Sequence, residues 1–485
     1  MQSCGSLSAR WLNASVAIGC VEPAGPGHGE RDNRLTIKAR QGEGPVKRAI
    51  RNAGWLLAGK GVGGIFSLVY LALAARSLGA EPFGVFALIL SYGQAVSNLA
   101  QFQSWQTLVR YGAVHVAAGQ HDKLGRVICF TALLDLGAAS TGAVLGVAGV
   151  YLIGAQFGWS DSEQTLAMLF SISLLFGLRG TPTGILRLFD RFDLAAYAET
   201  VLPAMRLAGA LVAWMTGASI LGYLVAWSLA ELVTTAAIWW ASLREVSRRS
   251  TGRVSAKGPR LRGVVQENPD IWKFAWATNF TTSLSLVWKQ FPVLAVGWAL
   301  DSVAAGGLKI ATQLAGALHK PTLALARSVY PELAKLAVTG HEEVRQVVAR
   351  ATVAAGLAGL LAVGIIVAFG QFALQLVGGD AYLFVYSVLI VLTIAAAFEL
   401  CGVAIEPALV AFGRPGRVLM VRMIVAAIYV ALLIWMVQAL GLIGAAWATV
   451  CSSVMLVAGL YAVFRREVGV SSNRTAMTDR TDSVS

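Results

Sequence analysis

The chain has 485 residues, 56% hydrophobic and 13% charged, with a mean hydropathy of +0.65. A soluble domain carries about a quarter charged residues, so this composition excludes one and points to a membrane protein. The formal net charge is +13, and Cys4, Cys20, Cys129, Cys401 and Cys451 lie scattered without ligand spacing, which argues against a disulfide framework or a metal site.

Residues 1–48 are polar, basic and Gly- and Pro-containing, and read as a disordered cytoplasmic tail. The run SVAIGC ending at Cys20 is too short for a lipoprotein leader. Beyond it, apolar stretches long enough to cross about 30 Å of hydrocarbon recur along the chain. The first set of predicted helices lies near 52–76, 83–109, 127–153, 164–186, 194–216 and 220–241. A second set follows near 272–298, 304–327, 351–377, 384–410, 418–438 and 442–464, about 12 transmembrane helices in all. Residues 466–485 read as a second disordered cytoplasmic tail. Between the predicted helices, lysines and arginines fall on one side of the membrane, with Arg76 alone on the other. That asymmetry predicts both termini in the cytoplasm. The basic balance therefore reports orientation and attraction to anionic membrane lipids, not nucleic acid binding.

The basic, Gly- and Ser-containing loop 242–271 divides the predicted helices into two halves, 49–241 and 272–465. A weak internal repeat supports the division. LFDRF (188–192) resembles AFGRP (411–415), and GASILGYLVA (217–226) resembles QALGLIGAAWAT (438–449), which aligns Gly222 with Gly444. Trp55 and Trp276 open the first helix of each half at nearly the same spacing. Halves of equal orientation predict a parallel repeat about the membrane normal, enclosing a central cavity with alternating access. The fold class expected is an all-α polytopic membrane protein of two six-helix lobes.

A charge at mid-bilayer costs about 2.5–3.5 kcal/mol on insertion scales, so charged residues within spans need a reason. In the seventh helix Thr278, Thr281, Ser285 and Lys289 share one face, and Pro292 is expected to kink the helix one turn later. Lys309, Gln313, Gly316 and Lys320 form a stripe in the eighth. Gln94, Asn98 and Gln101 do so in the second, and Lys60, Gly64 and Ser67 in the first. Gly59 and Gly63 form a GxxxG that reads as helix packing. Such stripes either bond a neighbouring helix or line a hydrated lumen. Cationic excess in the first, seventh and eighth helices favours a lumen for an anionic passenger, because lysine and arginine donate charge-assisted hydrogen bonds to phosphate. Gln94, Asn98, Gln101, Thr281, Ser285 and Gln313 would then line the cavity and exchange partners with sugar hydroxyls. Asp135, Glu199, Glu231, Glu399 and Glu406 are the acids within reach of the cations; Glu199 and Arg206 share a helix face. Asp135, Glu231, Glu399 and Glu406 read equally as sites for proton or sodium coupling. No GxxxxGK[ST] occurs, so transport is expected to run on a gradient or downstream pull, with no cofactor.

RSLGAEPFGVFALIL (76–90) resembles the turn between the first two helices of Wzx-type polysaccharide-synthesis flippases. These lipid-linked oligosaccharide transporters belong to the multidrug/oligosaccharidyl-lipid/polysaccharide exporter superfamily. AFGRPGRVLMVRM (411–423) followed by GLIGAAWAT (441–449) is similar to the family's C-terminal pattern. PELAKLAVTG (331–340) and ILRLFDRFDLAAYAETVLPAMRLAG (185–209) resemble two of its cytoplasmic junctions. The resemblance implies a MATE-like, V-shaped pair of lobes in the bacterial inner membrane. It implies outward carriage of undecaprenyl-diphosphate-linked repeat units for O-antigen, lipopolysaccharide or exopolysaccharide. A polymerase and a chain-length regulator would be partners. It also makes Lys60, Arg179, Arg206, Lys289 and Lys309 candidates for a cationic, substrate-binding cavity. A cation-coupled drug or lipid exporter of the same fold is the alternative; a polymerase or glycosyltransferase is disfavoured by the short outer loops.

Overall fold

In hydrocarbon every backbone N–H and C=O needs an internal partner, so an apolar chain spans lipid as helices or as a closed barrel. The computed structural model describes residues 63–173, 177–249, 263–284, 286–317, 341–412 and 414–482, and no strand occurs among them. The first half comprises α1 (Gly63–Leu78), α2 (Ala80–Ala100), α3 (Ser104–Ala117) and α4 (His121–Ile153). It continues with α5 (Asp161–Ser173), α6 (Gly180–Leu188), α7 (Phe192–Met215) and α8 (Ile220–Arg249). The short α9 (Val264–Glu267) leads into α10 (Ile271–Ser283), α11 (Leu286–Lys289), α12 (Phe291–Ala299) and α13 (302–317). The last set is α14 (His341–Gly378), α15 (Tyr386–Cys401), α16 (Ile405–Ala411), α17 (Pro415–Leu440) and α18 (Leu442–Asp482).

Among the described residues, seven helical segments are long and apolar enough to cross a membrane, and Gly63–Leu78 and Thr200–Met215 are shorter apolar helices. The sequence predicts more spans because it reads the fourth and seventh as uninterrupted. Both are broken, and the predicted first and eighth lie partly outside the described residues. Proline lacks an N–H and crowds the carbonyl four residues back. Pro182, Pro292 and Pro407 each lie shortly after a break, at 178–179, Gln290 and 402–404. Pro203, in contrast, is carried inside α7, where the missing Cβ of Gly63 lets it approach α1. The breaks after α5 and after α15 stand at matching places in the internal repeat. At the C-terminus α18 runs on to Asp482, over residues that read as a tail from 466. No proline interrupts that stretch, and its last glycine is Gly469.

The packing centre is the first part of α2, where Phe83 to Gly93 are all buried. Its glycine permits a close crossing: a Cβ on Gly84 would lie 2.1 Å from the Ser302 carbonyl oxygen. Phe83 meets Tyr382 edge-on at 5.8 Å, and the Tyr382 hydroxyl donates to Ala80 O at 3.3 Å. Arg76 donates to Gln375 O at 2.6 Å beside them. The opposite helix ends meet through polar contacts instead. Arg126 grips Glu267 with bonds of 2.6 and 3.0 Å, and His115 Nε2 lies 2.9 Å from Asn268 Oδ1. Arg126 holds the Glu267 carboxyl below the usual carboxylate range, chiefly by hydrogen bonding. On α14, Leu357, Leu360, Leu361, Phe369 and Phe372 are exposed, an apolar face that lipid covers without cost.

Candidate functional site

The break before α6 leaves backbone groups that need partners, since a helix start exposes unpaired N–H groups. Asp135 of α4 supplies one: its Oδ2 accepts the Thr181 N–H at 2.8 Å and the Thr181 hydroxyl at 2.7 Å. A carboxylate at a helix N-terminus also complements the macrodipole. Gly180 makes room for it, because a Cβ there would lie 3.0 Å from both Asp135 oxygens and 2.0 Å from Ser104 Oγ. On the other side, the Leu178 carbonyl accepts the Trp239 indole N–H at 2.8 Å.

Arg179 occupies the N-cap position of α6, and from this broken backbone its side chain reaches Glu231 of α8. Arg206 of α7 takes the other oxygen of the same carboxylate. Two arginines thus share one glutamate, and the cluster keeps an excess positive charge. The Arg206 guanidinium also stands 3.4 Å from the centre of the Trp227 ring, one turn before Glu231 on the same face of α8. Tyr70 of α1 packs on that ring at 5.5 Å.

A second cation is held differently. Lys309 of α13 donates to Ser91 Oγ at 3.0 Å and to Gln290 Oε1 at 3.4 Å, while Gln290 Nε2 donates to Gln94 Oε1 at 2.8 Å. Ser91 and Gln94 stand one turn apart on α2, and Gln290 is the residue at which the seventh helix breaks. All these partners are neutral.

The remaining candidates separate. Lys289 ends α11 and is exposed, and among the described residues it makes no hydrogen bond or ion pair. Its neighbour Trp288 instead donates to Ser452 Oγ at 2.9 Å and stacks on Tyr429. The uninterrupted polar face expected through Lys289 is therefore interrupted ahead of it, where α10 gives way to a turn at Leu284. Lys60 and Ser285 lie outside the described residues, as do Lys320 and the side chains of Thr281 and Glu199. Asn98 and Gln313 are half-buried, and Gln101 caps the end of α2 with its amide on Ser97 Oγ at 2.7 Å. Glu399 accepts the Ser453 hydroxyl at 3.2 Å, just ahead of the break after α15. Glu406 pairs with Arg422 at 2.5 Å. Among the described residues no group of His, Cys, Asp or Glu could hold a metal ion.

Sequence reasoning passes over Gln290, Ser91, Trp227 and Arg422. Ser91 continues the Gln94 stripe by one turn, and Gln290 belongs to the same polar interruption as Lys289, so both carry a signal. Trp227 and Arg422 carry none, because their roles depend on neighbouring helices.

Residues 49–337 match the family model described as polysaccharide biosynthesis protein. The chain is 30% identical over 355 residues to "Inner membrane protein YghQ" of Escherichia coli (strain K12), covering 73% of this chain and 99% of that one. Its fold is similar to an inward-facing multidrug resistance MATE family transporter of the MOP superfamily (TM-score 0.68, 15% identity, 84% of this chain and 96% of that chain). It is similar also to the lipid II flippase MurJ in an inward closed conformation (TM-score 0.67, 16% identity, 84% and 87% of the two chains). All-α, polytopic and MATE-like in fold, this chain belongs to the polysaccharide biosynthesis protein family.

Proposed function

We propose that the protein flips diphosphate-linked lipid oligosaccharides across the bacterial inner membrane, by alternating access between lobes 49–241 and 272–465, with both termini in the cytoplasm. The observation that carries this reading is the convergence of Arg179 and Arg206 on a single carboxylate at a broken helix, which leaves net positive charge. Discontinuous helices inside membranes mark substrate sites, because freed backbone groups and side chains there can meet a polar ligand. The second cation, Lys309, has hydrogen-bonding neighbours with no negative charge, and so welcomes an anion. Glutamines near it offer donors and acceptors for sugar hydroxyls. Passage moves the lipid without making or breaking a covalent bond. The flipped glycan would go to a polymerase and chain-length regulator, with a proton or sodium gradient or downstream pull supplying direction.

The test is reconstitution in vesicles with a fluorescent undecaprenyl-diphosphate oligosaccharide, scoring its arrival on the far leaflet. Protein-dependent movement is expected, and it should fall about tenfold or more in Arg179→Ala, which removes a charge-assisted contact. Vesicles that move cationic dyes but not the lipid would replace this reading with drug export.

A further inference from the structure

The arginine pair has more hydrogen-bonding capacity than Glu231 absorbs. Among the described residues, Arg206 Nε is buried without a hydrogen-bond partner, and so is the hydroxyl of Tyr70, which is only 4% exposed. Tyr70 packs on the Trp227 ring that Arg206 covers, so both unused donors stand against one ring. The site is also reachable: the side chains of Arg179, Arg206 and Glu231 are 29%, 19% and 14% exposed. A buried donor left unmade is costly, and a purely structural ion pair gains nothing from two of them.

We propose that Glu231 is an internal stand-in for the passenger's diphosphate. It occupies the two arginines when the carrier is empty and is displaced when the diphosphate binds. The inference rests on the proposed diphosphate passenger. Its logic is one of charge. An empty site with two bare guanidinium groups would be expensive to close away from water, because desolvating an unpaired ion is unfavourable. A tethered carboxylate neutralises one charge and lets the empty carrier reset. A diphosphate brings more acceptor oxygens than a carboxylate, and so can also take the idle Tyr70 hydroxyl and Arg206 Nε. The cost of displacing Glu231 lowers net affinity, which favours release on the far side.

The groups facing Glu231 are Arg179 from α6 and Arg206 from α7, with Tyr70 of α1 behind Trp227. From α5, Ser173 reaches the adjoining Ser228 at 2.9 Å; among the described residues no charged group of α2 or α5 contacts the carboxylate. Protonating Glu231 should therefore release both arginines. Affinity for a non-titrating anion should then rise toward acid.

The experiment measures binding of a short-chain prenyl-diphospho-sugar to the full-length protein in detergent. Its diphosphate diester keeps its charge across the range used. Glu231→Gln is expected to bind it on the order of tenfold tighter, equivalent to about 1.4 kcal/mol, with a flat pH profile, and to turn over more slowly in vesicles. Wild-type affinity is expected to rise toward acid and meet that of the variant. Equal or weaker binding by a folded Glu231→Gln overturns the inference. Should that variant not fold, a flat wild-type profile overturns it alone. If wild type does not bind the probe at any pH, the diphosphate reading falls with it; binding that ignores Glu231 leaves that reading standing.

Discussion

The two cation sites solve the same problem in different ways. Arg179 and Arg206 are held by ion pairs to a shared Glu231, which offsets one of their two charges, whereas Lys309 is held by hydrogen bonds to the neutral Ser91 and Gln290. An ion-paired site is stable when empty, but it depends on Glu231, whose loss would leave two guanidinium groups uncompensated. A cation held by neutral dipoles can be deleted with little harm to the fold. Its charge is of use only when an anion arrives. On the proposed function, the arginine site would serve both structure and binding, and Lys309 binding alone.

That contrast can be broken by substitution. Arg206→Ala should have the largest effect, losing about 1.5–3 kcal/mol from a charged hydrogen bond and about 0.5–2 kcal/mol from the contact with Trp227. Thermal unfolding in detergent should show it as a clear drop in midpoint, together with loss of flipping. Asp135→Ala comes next, at about 0.5–2 kcal/mol for a lost helix cap. Hydrogen exchange should rise at Thr181 and its neighbours in α6, which would tie the arginine site to the broken helix that presents Arg179. Lys309→Met should alter stability least, by less than about 1 kcal/mol in either direction, while flipping still falls about tenfold. If Lys309→Met unfolds as readily as Arg206→Ala, the distinction between the sites is wrong.

Both sites are partly legible in the amino-acid sequence. Arg179, Arg206, Glu231, Lys309 and Gln94 stand out there because a polar residue in an apolar span is costly enough to need a purpose. Their partners are not legible. Glu199 shares a helix face with Arg206, yet Arg206 pairs with Glu231 on another helix. Asp135 reads equally as a coupling site and as a partner for a cation, and its carboxylate accepts the Thr181 N–H at the start of α6. Lys289 and Lys309 look alike in sequence; the break at Gln290 leaves one exposed and gives the other a hydrogen-bonding neighbour.

Class, helical fold and family follow from the sequence itself, since hydropathy over helix-length windows and the need to satisfy the backbone in lipid are local properties. The positions of the prolines that break the fourth, seventh and tenth helices are equally local. Which carboxylate meets which cation is not. It depends on how separate helices cross, and those crossings are set by contacts such as Gly84 against Ser302 and Gly180 against Asp135, between residues far apart in the chain.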